Sequence, residues 1–198
     1  MSDRTAQIER RTGETNVSLT LGLDGTGAGR RSTGVGFLDH MLDLLARHGR
    51  LDLDVEVHGD LQTGSHHTVE DTGIVLGQAL DRALGERCGI VRYGHAVVPM
   101  DEARAACAID VSGRPFATVE GFDRLPAGDI AGFEHEAAEE FFRAVASAAR
   151  LTLHVELQAG SNAHHMIEAC FKALARALRA AVALDPTEPG VPSTKGVL

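Results

Sequence analysis

Gly64–Asp71 reads GSHHTVED, two adjacent histidines with a glutamate three residues after the second. Asn162–Ala169 reads NAHHMIEA and writes the same His-His-x-x-Glu phrase again. On a helix, His66 and Glu70 stand four apart and share a face, as do His67 and Asp71. Adjacent residues diverge by about 100° around the axis, so the two histidines of a pair point in different directions. They therefore bind different ions or join ligands from other elements. His164, His165 and Glu168 repeat the arrangement. Four imidazoles and two carboxylates exceed what one ion usually takes from protein. A set without thiolate disfavours a structural zinc site. It suits Mn, Fe, Ni or catalytic Zn, with positions left open for substrate or water. Asp71 is the expected acceptor that orients an imidazole.

Anion-binding candidates lie elsewhere. VRYGHAVVPMDEA offers Arg92, DVSGRP offers Arg114, and VPSTKG offers Ser193, Thr194 and Lys195. STKG is not a phosphate loop, because no Gly-rich run precedes it and no helix has room to follow. A hydroxyl, backbone N–H groups and an ammonium can still wrap a phosphate. Glu14, in RRTGETNVSL, is a free carboxylate just before a strand. His48, His58, His95, His135 and His154 lack repeat partners and read as surface or hydrogen-bonded structural residues.

The elements that carry these residues form a repeat. Asp39–Val57 (DHMLDLLARHGRLDLDVEV) lies over Glu139–Leu157 (EEFFRAVASAARLTLHVEL) without gaps, and His40 falls opposite Glu140. His40 and Glu140 thus join the candidate ligands. Each copy then passes through a short loop to its histidine phrase and on to a second apolar helix. The copies run over about 6–95 and 96–185, with a tail at 186–198. No linker separates them and each is small for a core of its own, so we expect one domain.

Periodicity predicts the elements. Asn16–Leu23 is an expected strand closed by a DGTG hairpin turn. Helices are expected at Phe37–His48, from His67 to about Arg87 with Gly89 as the stop, at Glu134–Ala149, and at Met166–Leu184. Strands are expected at Leu51–Val57 and Leu151–Leu157. Gly94–Gly121 reads as two strands joined through VSGRP.

The chain has 198 residues, 43% hydrophobic and 4% aromatic, with a formal net charge of −9. That charge argues against a general nucleic-acid binder. Three scattered cysteines, Cys88, Cys107 and Cys170, argue against a disulfide framework and make a reducing cytoplasm the expected location. No apolar run approaches membrane-spanning length.

These motifs, in this order, resemble the imidazoleglycerol-phosphate dehydratase family of histidine biosynthesis. The resemblance covers RRTGETNVSLTLGLDGTG, TGVGFLDHMLDLLARHG, HHTVEDTGIVLGQAL, RYGHAVVPMDEA, DVSGRP, NAHHMIEACFKALARALRAA and GVPSTKGVL. It implies an α+β fold of duplicated units like ribosomal protein S5 domain 2, with mixed sheets packed on a helical layer. It implies a lyase that removes water from imidazole glycerol phosphate to give imidazole acetol phosphate. It implies two Mn²⁺ ions per site, and trimers that assemble into a 24-mer with sites between subunits. Carried over by motif, His40, His66, His67, Glu70, His164, His165 and Glu168 are metal ligands. Glu14, Arg92, Arg114, Ser193, Thr194 and Lys195 fall at substrate contacts. The family usually carries His where this chain has Glu140. A carboxylate suits a hard ion such as Mn²⁺, and Glu140 is preferred over His135, which a regular helix turns about 140° away.

The chemistry explains the ligand set. The proton to be lost has no carbonyl beside it, so the substrate's imidazole is the only electron relay. If metal bound both ring nitrogens, it would favour imidazolate, which could then expel the hydroxyl through a diazafulvene-like intermediate. Glu14 is the candidate acid/base group, with Glu168 as the alternative. Two other readings use the same ligands: a two-metal phosphatase or hydrolase acting on a small phosphorylated substrate, and a non-enzymatic metal-storage protein.

Overall fold

The computed structural model describes residues 4–198. The first half supplies β1 (Thr5–Arg11), β2 (Thr15–Gly22), β3 (Arg31–Ser32), α1 (Gly36–Gly49), β4 (Asp52–Gly59) and α2 (His66–Leu84). The second supplies β5 (Tyr93–Met100), β6 (Ala103–Asp110), β7 (Phe116–Glu120), β8 (Asp129–Ile130), β9 (Phe133–Glu134), α3 (Ala137–Ala148), β10 (Thr152–Ala159) and α4 (Ala163–Val182). Two four-stranded sheets follow one plan, β1-β2-β4-β3 and β5-β6-β10-β7. In each, an antiparallel hairpin leads the sheet, and the last strand in the order runs parallel to its neighbour. The parallel pairs are joined by crossover helices, α1 in one half and α3 in the other, as parallel strands require.

The central strands alternate strictly. β2 shows Val17, Leu19 and Leu21 to the core, and β4 shows Leu53, Val55 and Val57. That period of two leaves one face of each sheet exposed and buries the other on helices. α2 packs on β1 and β2, and α4 packs on β5 and β6. The helices then cross between halves: α1 packs on α4, and α2 on α3. One continuous core results, running from Ala6 to Val182 through the rings of Phe141, Phe142 and Phe171.

The backbone repeats its irregularities as well. Arg50 and Arg150 both adopt left-handed φ, 57° and 53°. After each, a leucine N–H reaches back 3.0 Å to a helix carbonyl, Leu51 to Ala46 and Leu151 to Ala146. This closes the helix ends that would otherwise leave carbonyls unpaired.

Several sequence expectations shift. β2 pairs backward with β1 rather than forward through DGTG. The DGTG segment is an excursion held by Asp52, whose carboxylate accepts the N–H groups of Thr26 and Ala28 at 2.8 and 2.9 Å. The long first helix stops at Gly85, before Gly89. Gly94–Gly121 holds three strands, because Asp101 takes left-handed φ (48°) and turns the chain between β5 and β6. Glu134 lies in β9 instead of starting a helix. α4 starts at Ala163, earlier than Met166. Among the described residues no helix is long and apolar enough to cross a membrane.

Close approach of α2 and α3 depends on glycine. A Cβ at Gly77 would stand 2.7 Å from Ala148 Cβ and 2.8 Å from the Val145 carbonyl oxygen. Gly77→Ala should therefore destabilise by about 1–3 kcal/mol despite alanine's better helix propensity. Denaturant unfolding should show this as a lowered midpoint. The exposed neighbour change Gln78→Ala should leave the midpoint nearly unmoved.

Candidate active site

Both histidine phrases begin their helices, and each helix start is closed by an acceptor. In α4, the Asn162 side-chain oxygen accepts the N–H groups of His164 and His165 at 2.9 and 3.3 Å. In α2, the acceptor comes from the other half. The Glu134 carboxylate accepts the Ser65 N–H at 3.0 Å and also takes the Ser65 hydroxyl. A carboxylate here also faces the positive end of the helix. Burial opposes ionisation of Glu134, but the Ser65 hydrogen bonds outweigh it and hold its pKa below the ordinary value.

Three groups converge at the start of α4. Among the described residues, the one set of three or more His, Cys, Asp or Glu whose ligand atoms all lie within 4.8 Å of one another is His40, His164 and Glu168. Glu168 is buried, 4% exposed, and its Oε2 lies 3.3 Å from His40 Nε2 and 3.0 Å from His164 Nε2. Its other oxygen meets Lys172 Nζ at 2.5 Å. Burial works against the carboxylate's charge. Lys172, with His40 and His164, outweighs burial and holds the Glu168 pKa low. Phe37 braces the cluster, with its ring 5.0 Å from that of His164. Two imidazole nitrogens aimed at one ionised carboxylate form a donor set that a Mn²⁺ or similar ion fits.

His165 points the other way, as the helical angle requires. Its Nδ1 lies 2.7 Å from Glu102 Oε2. A carboxylate can only accept, so Nδ1 carries the proton and the Nε2 lone pair is left free. That hydrogen bond raises the His165 pKa. With the Asn162 and Ser161 N–H groups it draws Glu102 down to about 2. His67 is held in the same manner by Asp60, 3.0 Å from Nδ1, and its pKa is raised mainly by that bond. Glu14 approaches its opposite nitrogen, with Oε1 3.7 Å from His67 Nε2. His66 and Glu70 share a face as expected, 3.8 Å apart.

The expected role of Asp71 falls to Asp60. Asp71 instead receives the Thr15 hydroxyl and Arg10, the latter at 2.5 Å. The acceptors for His67 and His165 escaped sequence reasoning because Asp60 and Glu102 lie outside both phrases. Glu140 is half-buried on the first turn of α3 and stands outside the converged set. His135 is buried, its Nδ1 donating to the Pro126 carbonyl at 2.6 Å, a structural role. The thiols take no part: Cys107 and Cys170 are buried, and burial pushes the Cys107 pKa up to about 12.

The anion candidates gather in a separate cleft of about 770 Å³, lined by Arg92, Arg114, Ser193, Thr194 and Lys195. Arg92 grips Asp110 at 2.7 and 3.1 Å and the Pro192 carbonyl at 2.8 Å, fixing the tail against the second sheet. Ser193 Oγ accepts the Lys195 N–H at 3.2 Å, folding the tail into a tight turn. The Arg92 N–H donates to Ala181 at the C-terminal end of α4, while His164 lies at its N-terminal end. At about 1.5 Å per residue, the 17 residues from His164 to Ala181 span about 26 Å. One chain therefore does not place its phosphate-type cleft beside its own converged histidines.

The comparisons agree with this architecture. Imidazoleglycerol-phosphate dehydratase from Xanthobacter autotrophicus is 57% identical over 196 residues, covering 98% of each chain. That from Moorella thermoacetica is 56% identical over 195 residues, again covering 98% of each. The crystal structure of the Staphylococcus aureus dehydratase superposes with TM-score 0.81 at 40% identity, covering 91% of this chain and 99% of that one. The Pyrococcus furiosus enzyme, solved in complex with (S)-C348, gives TM-score 0.81 at 36% identity, covering 96% of this chain and 100% of that one. The family profile described as imidazoleglycerol-phosphate dehydratase matches residues 33–178, and this chain belongs to that family.

Proposed function

We propose that the chain dehydrates imidazole glycerol phosphate to imidazole acetol phosphate, as a Mn²⁺-dependent hydro-lyase of histidine biosynthesis with two ions per site. The observation that carries the metal reading is the convergence of His40, His164 and Glu168 Oε2 on one point, beside an anchored His165. Bound there, Mn²⁺ supplies Lewis acidity that stabilises negative charge on the substrate's ring. His66 and Glu70 form the matching ligand face of the other half, His67 is directed away from it, and Glu140 is the carboxylate counterpart of His40.

The chain's own groups do the rest. Lys172 keeps Glu168 ionised, which suits a ligand more than a proton carrier. Glu14 is the free carboxylate. Among the described residues its carboxylate pairs with His67 alone, at 3.7 Å, which leaves it available to take the proton from the carbon next to the one that loses the hydroxyl. Loss of that hydroxyl is driven by the substrate's own ring, through a diazafulvene-like species. Arg114, Ser193, Thr194 and Lys195 hold the phosphate, and Arg92 holds the tail that carries three of them. Since about 26 Å of helix separates the two regions within one chain, we infer that different copies complete each site. The trimer-based 24-mer of the resemblance meets that need.

Three outcomes check this reading. Chelation should abolish dehydration and Mn²⁺ should restore it, with no inorganic phosphate released at any stage; phosphate release would favour a hydrolase. Lys195→Ala should raise KM by about 10- to 100-fold, the loss of one charge-assisted hydrogen bond, while a Mn²⁺ titration stays unchanged. Light scattering should show metal-free protein as a smaller particle; an unaltered mass would count against metal bridging between copies.

A further inference from the structure

We propose that Glu102 and Asp60 are positioning residues, each holding one histidine in the tautomer that leaves Nε2 free for metal. The inference rests on the metal-dependent function above.

The two halves reach this end by different routes. In the first sheet Val17 faces Val57, and in the second Ala105 faces Leu157. Val57 and Leu157 correspond in the gapless repeat, so Val17 and Ala105 correspond as well. Three residues earlier in each half stands a hairpin glutamate, Glu14 in one and Glu102 in the other. Both reach the second histidine of their phrase, but at opposite nitrogens. Glu102 lies 2.7 Å from His165 Nδ1, and Glu14 lies 3.7 Å from His67 Nε2.

The loop before each helix accounts for the difference. Eight residues separate Val57 from His66, and six separate Leu157 from His164. The longer loop carries Asp60, whose two oxygens lie 3.1 and 3.0 Å from His67 Nδ1 and which Thr63 steadies at 3.1 Å. With Nδ1 anchored by the loop, the hairpin glutamate of the first half is released to the side where the ligand nitrogen emerges. Glu102 has no such substitute and remains the anchor.

The geometry of Glu102 permits a sharp test. Its Oε1 accepts the N–H groups of Ser161 and Asn162 at 3.1 and 2.8 Å, while Oε2 takes His165. In Glu102→Gln the two backbone donors hold the amide oxygen, so the NH₂ must face Nδ1. Nδ1 then becomes an acceptor, and the ring proton moves to Nε2, the ligand atom. Glu102→Ala removes the anchor but leaves Nδ1–H free to find water.

Full-length metal-free protein is titrated with Mn²⁺, following the free-ion signal by electron paramagnetic resonance. Thermal unfolding without metal and steady-state kinetics accompany each variant. Glu102→Gln should weaken Mn²⁺ binding by about 10- to 100-fold, more than Glu102→Ala does, with kcat falling. Unfolding temperatures should rank the opposite way, Glu102→Gln near wild type and Glu102→Ala lower. Asp60→Ala should also weaken binding, and Asp60→Glu should restore part of it. A merely structural role would make Glu102→Ala the worse variant in both readouts, and that ranking, or wild-type affinity in Glu102→Gln, overturns the inference. Wild-type protein that takes up no Mn²⁺ sinks the functional reading first, and the inference with it.

Discussion

Helix α2 begins at His66 because the Glu134 carboxylate, 69 positions away from Ser65, occupies its N-terminus. A start displaced by one residue would turn every side chain on the first turn by about 100°. His66 and Glu70 would keep their shared face, but it would no longer point outward. α4 meets the same constraint with Asn162, whose oxygen holds the first two histidine N–H groups. The directions of the candidate ligands are thus set by where two helices are capped, and only then by the rings themselves.

Capping ties the halves together at the site, and packing ties them together in the core. Each crossover helix lies on the long helix of the other half, α1 on α4 and α3 on α2. His40 of α1 therefore meets Glu168 of α4, although 128 positions separate them. The converged His40–His164–Glu168 set exists only because the two halves exchange helices. Phe37 carries the same logic, touching His164 on one side and Phe133 on the other.

Much of this was legible in residue order. The matched phrases singled out the histidine pairs as candidates, and the alignment from Asp39 onward added His40, which the fold brings to His164 and Glu168. Alternation marked β2, β4 and β10, because their outward residues are consistently polar. β1 was missed, since only Ala6 is buried in a strand otherwise polar or partly exposed. The β5–β6 turn was missed because Asp101-Glu102 reads as one more polar position in an alternating run. Asp60, Glu102 and Glu134 could not be found by local spacing. Each acts on a partner that folding alone brings near, as Glu134 does on Ser65.

The exchange of helices also bears on synthesis. A growing chain exposes α2, with its close-packed Gly73 and Gly77 surface, well before the α3 segment that covers it has left the ribosome. The leading half then waits with an uncovered apolar stripe, the kind of intermediate that aggregates or recruits chaperones. Covering that stripe is a late event, because it waits for residues made after the midpoint of the chain.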